Sequence, residues 1–288
     1  MRVFLLGATG SIGSAVLQAL IGRGHAVVAL ARSEASAAKI AAAGAQAIRG
    51  DIADPEAWVG ALPPIEAAIH MACDFASTMA DIDRLLLDRL LPALAAQPGC
   101  VRFIYTGGCW LYGATGDRLA SEDSPFDPLP TFAWMVPHLQ RVLADAAIHG
   151  NVIHPAMVHD GHTGGVFRRF AADAEAGRPI RVVGSEAVRW PLVHRDELAQ
   201  LYALVLEHAP PGESYLGVAD EGVPVGHIAR GFSDKTRIVS ADDIAHELGE
   251  WARGYGCDQR LSSAKARREL GWRPTSHPLK PAREITTV

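Results

Sequence analysis

The sequence predicts an α/β fold, a doubly wound parallel sheet with a small C-terminal cap, and three observations carry that expectation. Strand-like and helix-like stretches alternate from the first residues onward. The strand-like stretches are nearly continuous apolar runs, as strands covered on both faces must be. The first of them, RVFLL at Arg2–Leu6, ends in a glycine-rich turn that opens a helix.

That turn reads Gly7-Ala8-Thr9-Gly10-Ser11-Ile12-Gly13, after which Ile12, Val16, Leu20 and Ile21 recur at the period of an amphipathic helix. Gly7 permits a sharp exit from the strand, Gly10 lets backbone approach an anion closely, and Gly13 lets helix and strand pack tightly. The helix N-terminus then offers unpaired N–H groups and a partial positive charge to a pyrophosphate. Thr9, Ser11 and Ile12 fall in the same cradle. A strand, this turn and a helix together form the dinucleotide-binding opening of a Rossmann-type sheet.

The following elements continue the alternation. Residues 25–31 read as a second strand, 33–43 as an alanine-rich helix closed by Gly44, and 45–48 as a third strand. Asp54-Pro55 has the form of an N-cap followed by proline in the first helical turn. Residues 67–71 and 101–106 are further buried strands, separated by a long helix over 79–96. This spacing requires crossover connections and hence parallel pairing. Residues 117–130, rich in Asp, Ser and Pro, read as a loop before a helix over 133–148, and 151–154 resume the sheet. Later come a helix at 166–176, strands at 180–183 and 190–193, a helix at 196–208 and alternation at 214–218. The expected division is a dinucleotide-binding region over 1–155 and a smaller substrate-binding region over 156–288, the latter threading back into the sheet.

Composition narrows the partners. With 288 residues, 49% of them apolar, the chain buries an ample core without staples. A net charge of -5 with interspersed signs excludes a nucleic-acid stripe and a polybasic membrane patch, leaving a small-molecule substrate as the expected partner. Cys73, Cys100, Cys109 and Cys257 show neither metal-ligand nor redox spacing, so no metal is expected and a reduced cytoplasm fits. A strand starting at Arg2 leaves no room for a leader ahead of it, and no apolar run reaches membrane-spanning length.

The end of the second strand selects the nucleotide. An acidic residue there bonds the ribose hydroxyls of NAD, but this chain has Arg32, followed by Ser33. A guanidinium pairs with a 2′-phosphate in a fork and Ser33 adds a hydroxyl, so NADP is favoured over NAD. Glu34 is the residue that supports NAD if the loop turns differently.

Several stretches together resemble the extended or atypical short-chain dehydrogenase/reductase family, which includes NAD(P)-dependent epimerases and dehydratases. The turn has the GxxGxxG form. Gly50-Asp51-Ile52 resembles the segment whose Asp meets adenine. Ile69-His70-Met71-Ala72-Cys73 resembles the H-x-A-A strand end beside the cofactor. The run from Phe103 through Thr106 to Leu111-Tyr112-Gly113 resembles the strand and loop carrying the catalytic serine or threonine. Trp190-Pro191-Leu192-Val193-His194-Arg195-Asp196 and Ser263-Ala264-Lys265 onward to Trp272 are similar to the family's substrate-domain element and closing helix. The resemblance implies a tyrosine passing a proton to or from the substrate oxygen, a serine or threonine bonding that oxygen, and a lysine four residues past the tyrosine. It also implies a homodimer with two helices packed across a twofold axis.

The chain departs from that pattern at the chemistry. The serine position falls on Gly108, and the best match to Tyr-x-x-x-Lys is Trp134-Met135-Val136-Pro137-His138. No Tyr-x-x-x-Lys occurs anywhere. His138, at the lysine position, is the candidate for ribose binding and for acid-base work near neutral pH. Tyr112, Cys109 and Thr106 are the other catalytic candidates, each with an ordinary packing alternative. Asp74, Gly108, Trp110, Tyr112 and Trp134 are the substrate-binding candidates, the rings suggesting an apolar or aromatic substrate, although aromatics also fill cores. Met71, Ala72, Cys73, Asp51, Ile52, Thr106 and His138 complete the cofactor set. The expected function is therefore an NADP-dependent oxidoreductase acting on a small carbonyl, imine or enone with a non-standard proton donor. The alternative is a non-redox protein on the same frame, either an isomerase or cyclase or an NADP(H) sensor.

Overall fold

The computed structural model describes residues 1–73, 75 and 78–275. The chain forms two compact units by internal packing. The first comprises Met1–Gly107, Trp134–Ile153 and Leu198–Tyr215; the second comprises Gly108–Ala133, His154–Glu197 and the chain from Leu216 onward. Each unit is assembled from separated stretches of chain.

The first unit carries the large sheet. Strands β1 (Arg2–Leu6), β2 (Ala26–Ala31), β3 (Gln46–Arg49), β4 (Ala67–His70), β5 (Arg102–Thr106), β6 (His149–Pro155) and, far along the chain, β10 (Ser214–Gly217) lie in the order β10-β6-β5-β4-β1-β2-β3. The pairs from β3 through β6 are parallel. Val3 to Leu6, Ala67 to Ile69 and Phe103 to Tyr105 are almost completely buried, which explains their unbroken apolar character. Strand order reverses between β1 and β4, because the chain builds outward to β3 and then returns to the other side of β1. A ligand crevice belongs outside the carboxyl ends of the strands at such a reversal.

Helices α1 (Ser11–Gly22), α2 (Glu34–Ala42), α3 (Glu56–Val59), α4 (Met79–Ala95), α5 (Met135–Ala144) and α7 (Arg195–His208) connect these strands. Two expectations shift. The α3 helix is only four residues long and its cap position is Pro55, with no side-chain cap, so Asp54 does not cap it. The α5 helix is shorter than 133–148, with Pro137 in its first turn where a missing N–H costs nothing, and the chain leaves it at Asp145.

The second unit is built from short pieces. Strands β7 (Met157–His159), β9 (Arg189–His194) and β11 (Asp220–Pro224) form a three-stranded sheet, and β8 (Ile180–Val183) pairs in parallel with β12 (Thr236–Val239). Helices α6 (Arg168–Glu175), α8 (Val225–Arg230), α9 (Ala241–Leu248) and α10 (Ala264–Leu270) accompany them. Strands β7, β11 and β12 and helices α8 and α9 escape sequence reading, since three to five strand residues and six to eight helical ones are too few to display a period. An aromatic core holds this unit together, with Phe170 stacked on Trp190 at 5.7 Å and 18°.

Candidate active site

The glycine turn sits at the carboxyl end of β1, at the strand reversal. Gly7 has φ +90°, and a Cβ there would lie 2.9 Å from the Ala72 nitrogen on the neighbouring strand end. A Cβ on Gly13 would lie 2.0 Å from the Gly7 carbonyl oxygen, so helix and turn touch backbone to backbone. Gly10 is the N-cap of α1 and has no side chain to cap it, and no acidic residue occupies the first turn. Thr9, Gly10 and Ser11 are exposed. The twelve-residue helix therefore starts at exposed residues with neither a side-chain cap nor a neutralising carboxylate on its first amides. This geometry fits a dinucleotide diphosphate.

Arg32 follows β2 and is exposed. Ser33 is less available than its sequence position suggests. Its Oγ accepts the Ser36 backbone N–H at 3.1 Å and donates to Ser36 Oγ at 3.0 Å, capping α2. Glu34 lies in the first turn of that helix, 3.5 Å from Arg49 Nε. Because Ala31 is in register with Arg49, β3 brings a second guanidinium to the strand end that carries Arg32, a neighbour the sequence does not announce. Further along, Asp51 Oδ1 accepts the Ala53 N–H at 3.0 Å, while the Asp51 carbonyl accepts the Trp58 indole N–H at 2.8 Å. Gly50 is required there, since a Cβ would lie 2.6 Å from the Trp58 ring.

The most concentrated chemistry in this unit gathers around Asp83, on α4. His138 Nδ1 lies 2.6 Å from Asp83 Oδ2, His70 Nε2 lies 2.8 Å from Oδ1, and the Tyr105 hydroxyl donates to Oδ2 at 2.9 Å. Burial alone opposes ionisation of this carboxyl. The hydrogen bonds from His138, His70 and Tyr105, with the charge of His70, outweigh it and hold Asp83 well below the usual carboxylate range. Burial, then the Asp83 charge, pushes the Tyr105 phenol well above its ordinary value, so it serves as a fixed neutral donor. His70 and Asp83 also line a narrow crevice with Ile52, Ala72, Cys73 and Trp134. The cofactor candidates Ile52, Ala72 and Cys73 thus share one cavity wall with His70 and Asp83. Trp134 presents its ring edgewise to His138, with centroids 5.2 Å apart.

Asp83 is the site residue that sequence reading misses, although a signal was present. Met79, Asp83, Leu86, Leu87, Leu90, Leu91 and Leu94 form the buried stripe of α4, and a carboxylate on such a stripe calls for a partner.

The other candidates have definite positions. The Thr106 hydroxyl is 2.7 Å from the Tyr202 hydroxyl, a partner from α7. In the second unit, Cys109, Trp110 and Tyr112 share one 3-10 turn, Cys109–Tyr112. Burial, then the neighbouring Cys257, pushes the Cys109 thiol up to about 12, which removes the thiolate as a nucleophile at neutral pH. Tyr112 is also buried. Its ring packs 5.2 Å from Phe126 and 5.4 Å from His154, and burial with the nearby Glu122 and Asp123 charges raises its phenol. Trp110 packs against Phe132, Trp251 and Tyr255, and Gly254 leaves room for its ring, because a Cβ there would approach it to 2.3 Å. Core packing accounts for the rings of Trp110 and Tyr112. Space is open beside Gly108, where no atom lies within 4 Å of an added Cβ. Asp74 lies outside the described residues. Among the described residues no metal-ligating cluster occurs, and no helix is long and apolar enough to cross a membrane.

Comparison with known proteins agrees with this architecture. The model for the NAD dependent epimerase/dehydratase family matches residues 3–216. The chain is 31% identical over 287 residues to an uncharacterised protein of Saccharomyces cerevisiae, covering 95% of both. It is 28% identical over 233 residues to a 2-alkyl-3-oxoalkanoate reductase of Stenotrophomonas maltophilia, covering 76% of this chain and 69% of that one. Among solved structures, a dTDP-glucose 4,6-dehydratase from Streptomyces venezuelae with NAD bound superposes with TM-score 0.82 at 19% identity, covering 99% of this chain and 95% of the other.

Proposed function

This chain belongs to the NAD dependent epimerase/dehydratase family, and from that premise we propose that it is an NADP-dependent oxidoreductase acting on a small carbonyl, imine or enone, with His138 in place of tyrosine as the proton donor. The observation that carries the cofactor half of this reading is the exposed Arg32 together with an uncapped helix N-terminus that has no acidic residue in its first turn. Gly7, Gly10 and Gly13 would hold the diphosphate and Arg32 the 2′-phosphate, with Arg49 in register with the adjacent Ala31. Ser33 is engaged in capping α2 and contributes less than its position implies.

Reduced nicotinamide, when bound, supplies the hydride; the chain must supply orientation and a proton. Lysine at the family position works through its charge on a neighbouring tyrosine. An imidazole there needs no such intermediary, since histidine is itself a general acid or base. The 3-oxoalkanoate reductase named above supports a ketone as the first compound to try.

Titration of the purified chain with NADPH and with NADH tests the cofactor reading. Tighter binding of NADPH is expected, and Arg32→Ala should weaken it roughly 10- to 100-fold, the worth of one charge-assisted fork, while leaving NADH nearly unchanged. Loss of NADPH absorbance over a panel of ketones, imines and enones tests the reaction. Binding without turnover on any compound would favour the sensor reading, and no binding of either nucleotide would end both.

A further inference from the structure

We propose that Asp83 is the positioning residue of the proton-transfer site, holding His138 in the tautomer that carries its proton on Nδ1 and leaves Nε2 as the working nitrogen. The inference rests on the reading of His138 as proton donor and adds the residue that makes it one.

The geometry dictates the proton positions. An ionised carboxylate only accepts hydrogen bonds, so each group 2.6 to 2.9 Å from Asp83 must donate. His138 therefore bears hydrogen on Nδ1 and His70 bears it on Nε2, opposite tautomers imposed by one side chain. Tyr105, whose hydroxyl donates to the same oxygen as His138, prevents the carboxylate from turning away. Asp83 and His70 are almost entirely enclosed, with side chains 9% and 3% exposed, while His138 is 15% exposed. Nε2 of His138 makes no hydrogen bond among the described residues, so it is the hub's outlet. The ring of Trp134, the residue that precedes α5, packs edgewise on the imidazole and limits its rotation.

With reduced nicotinamide, when bound, as the hydride source that is itself oxidised, the step balances. Hydride adds to the carbonyl carbon, the π pair moves to oxygen, and oxygen takes the proton from Nε2 of the imidazolium, whose N–H electrons stay on nitrogen as a lone pair. His138 ends neutral, still donating through Nδ1 to ionised Asp83. The carboxylate changes neither charge nor protonation, in keeping with the role of the aspartate in hydrolase triads.

Histidine-selective ¹⁵N labelling of the full chain tests this without cofactor or substrate, using His138→Gln to assign the signals. At a pH where histidines are neutral, His138 should show a protonated Nδ1 and a bare Nε2, with His70 reversed. Asp83→Asn, isosteric but able to donate, should abolish the preference at His138. On a ketone turned over by the wild type it should lower turnover about 100-fold or more, with NADPH affinity little changed. In the His138→Gln background the same substitution should cost nothing further. A wild-type His138 protonated on Nε2, or an Asp83→Asn effect that persists without His138, overturns the proposal. The tautomer measurement decides it even if Asp83→Asn does not fold. Failure of NADPH to bind, in contrast, strikes the proposed function alone.

Discussion

Gly13 shows how much one missing methyl controls. Its α-hydrogen faces the Gly7 carbonyl, and a Cβ 2.0 Å from that oxygen forces strand, turn and helix apart. Gly13→Ala should destabilise the chain by roughly 1–3 kcal/mol and abolish NADPH binding, checked by thermal melts and titration. Gly22, also in α1, has open space around it, so Gly22→Ala should be neutral or stabilise by up to about 1 kcal/mol. The cysteines divide in the same way. Cys73 and Cys100 are exposed, whereas Cys109 and Cys257 are buried with thiols pushed up to about 12 by burial. Alkylation of the folded chain followed by peptide mass mapping should mark the first two and reach the others only after denaturation. Gly7, Gly10 and Gly13 were legible in advance because their role is set by immediate neighbours. The burial of Cys109 was not, since it depends on residues such as Cys257 and Gln259 far along the chain.

At the scale of elements, strand ends and helix ends carry the electrostatics. His154, near the end of β6, is pushed down to about 4 by burial, against a small opposing pull from the Gly108 backbone. Below its ordinary value near 6.5 the unfolded chain therefore takes up a proton that the folded chain refuses until about 4. Stability falls across that window as pH drops, by at most roughly 1.4 kcal/mol per pH unit for one proton. His154→Leu should flatten this part of the profile in denaturant melts at pH 7 and pH 5. Glu207, on α7, acts lower. Its bonds with Arg23, aided by His25 and opposed by burial, bring it down to about 2, so its contribution is full above about 4.5 and lost as pH falls toward 2. Glu207→Gln should reduce the acid loss only in that lower window. The α7 helix itself was visible as a periodic stretch, whereas its tie to the end of α1 was not.

For the whole molecule, the decisive fact is that each compact unit is discontinuous. The first 107 residues contain the glycine turn and five strands but lack β6, β10, α5 and α7 of their own unit. Removing these uncovers Phe103 and Tyr105, now almost fully buried, and deprives Asp83 of His138. A fragment of residues 1–107 should lack a cooperative melt and dispersed amide resonances, although it holds most of the nucleotide cradle. Circular dichroism and a proton–nitrogen correlation spectrum, taken beside the full chain, would check it.

The alternation of strands and helices, the glycine cradle and the arginine after β2 could all be read from the sequence. Each follows from periodicity or backbone conformation over a dozen residues or fewer, where chain neighbours supply the constraint. Tertiary structure alone decided that residues 70, 83, 105 and 138 meet and that Tyr112 faces His154 inside the second unit. Those outcomes depend on burial and on partners tens of residues away, and a hydrogen bond across that distance leaves no local pattern by which to foresee it.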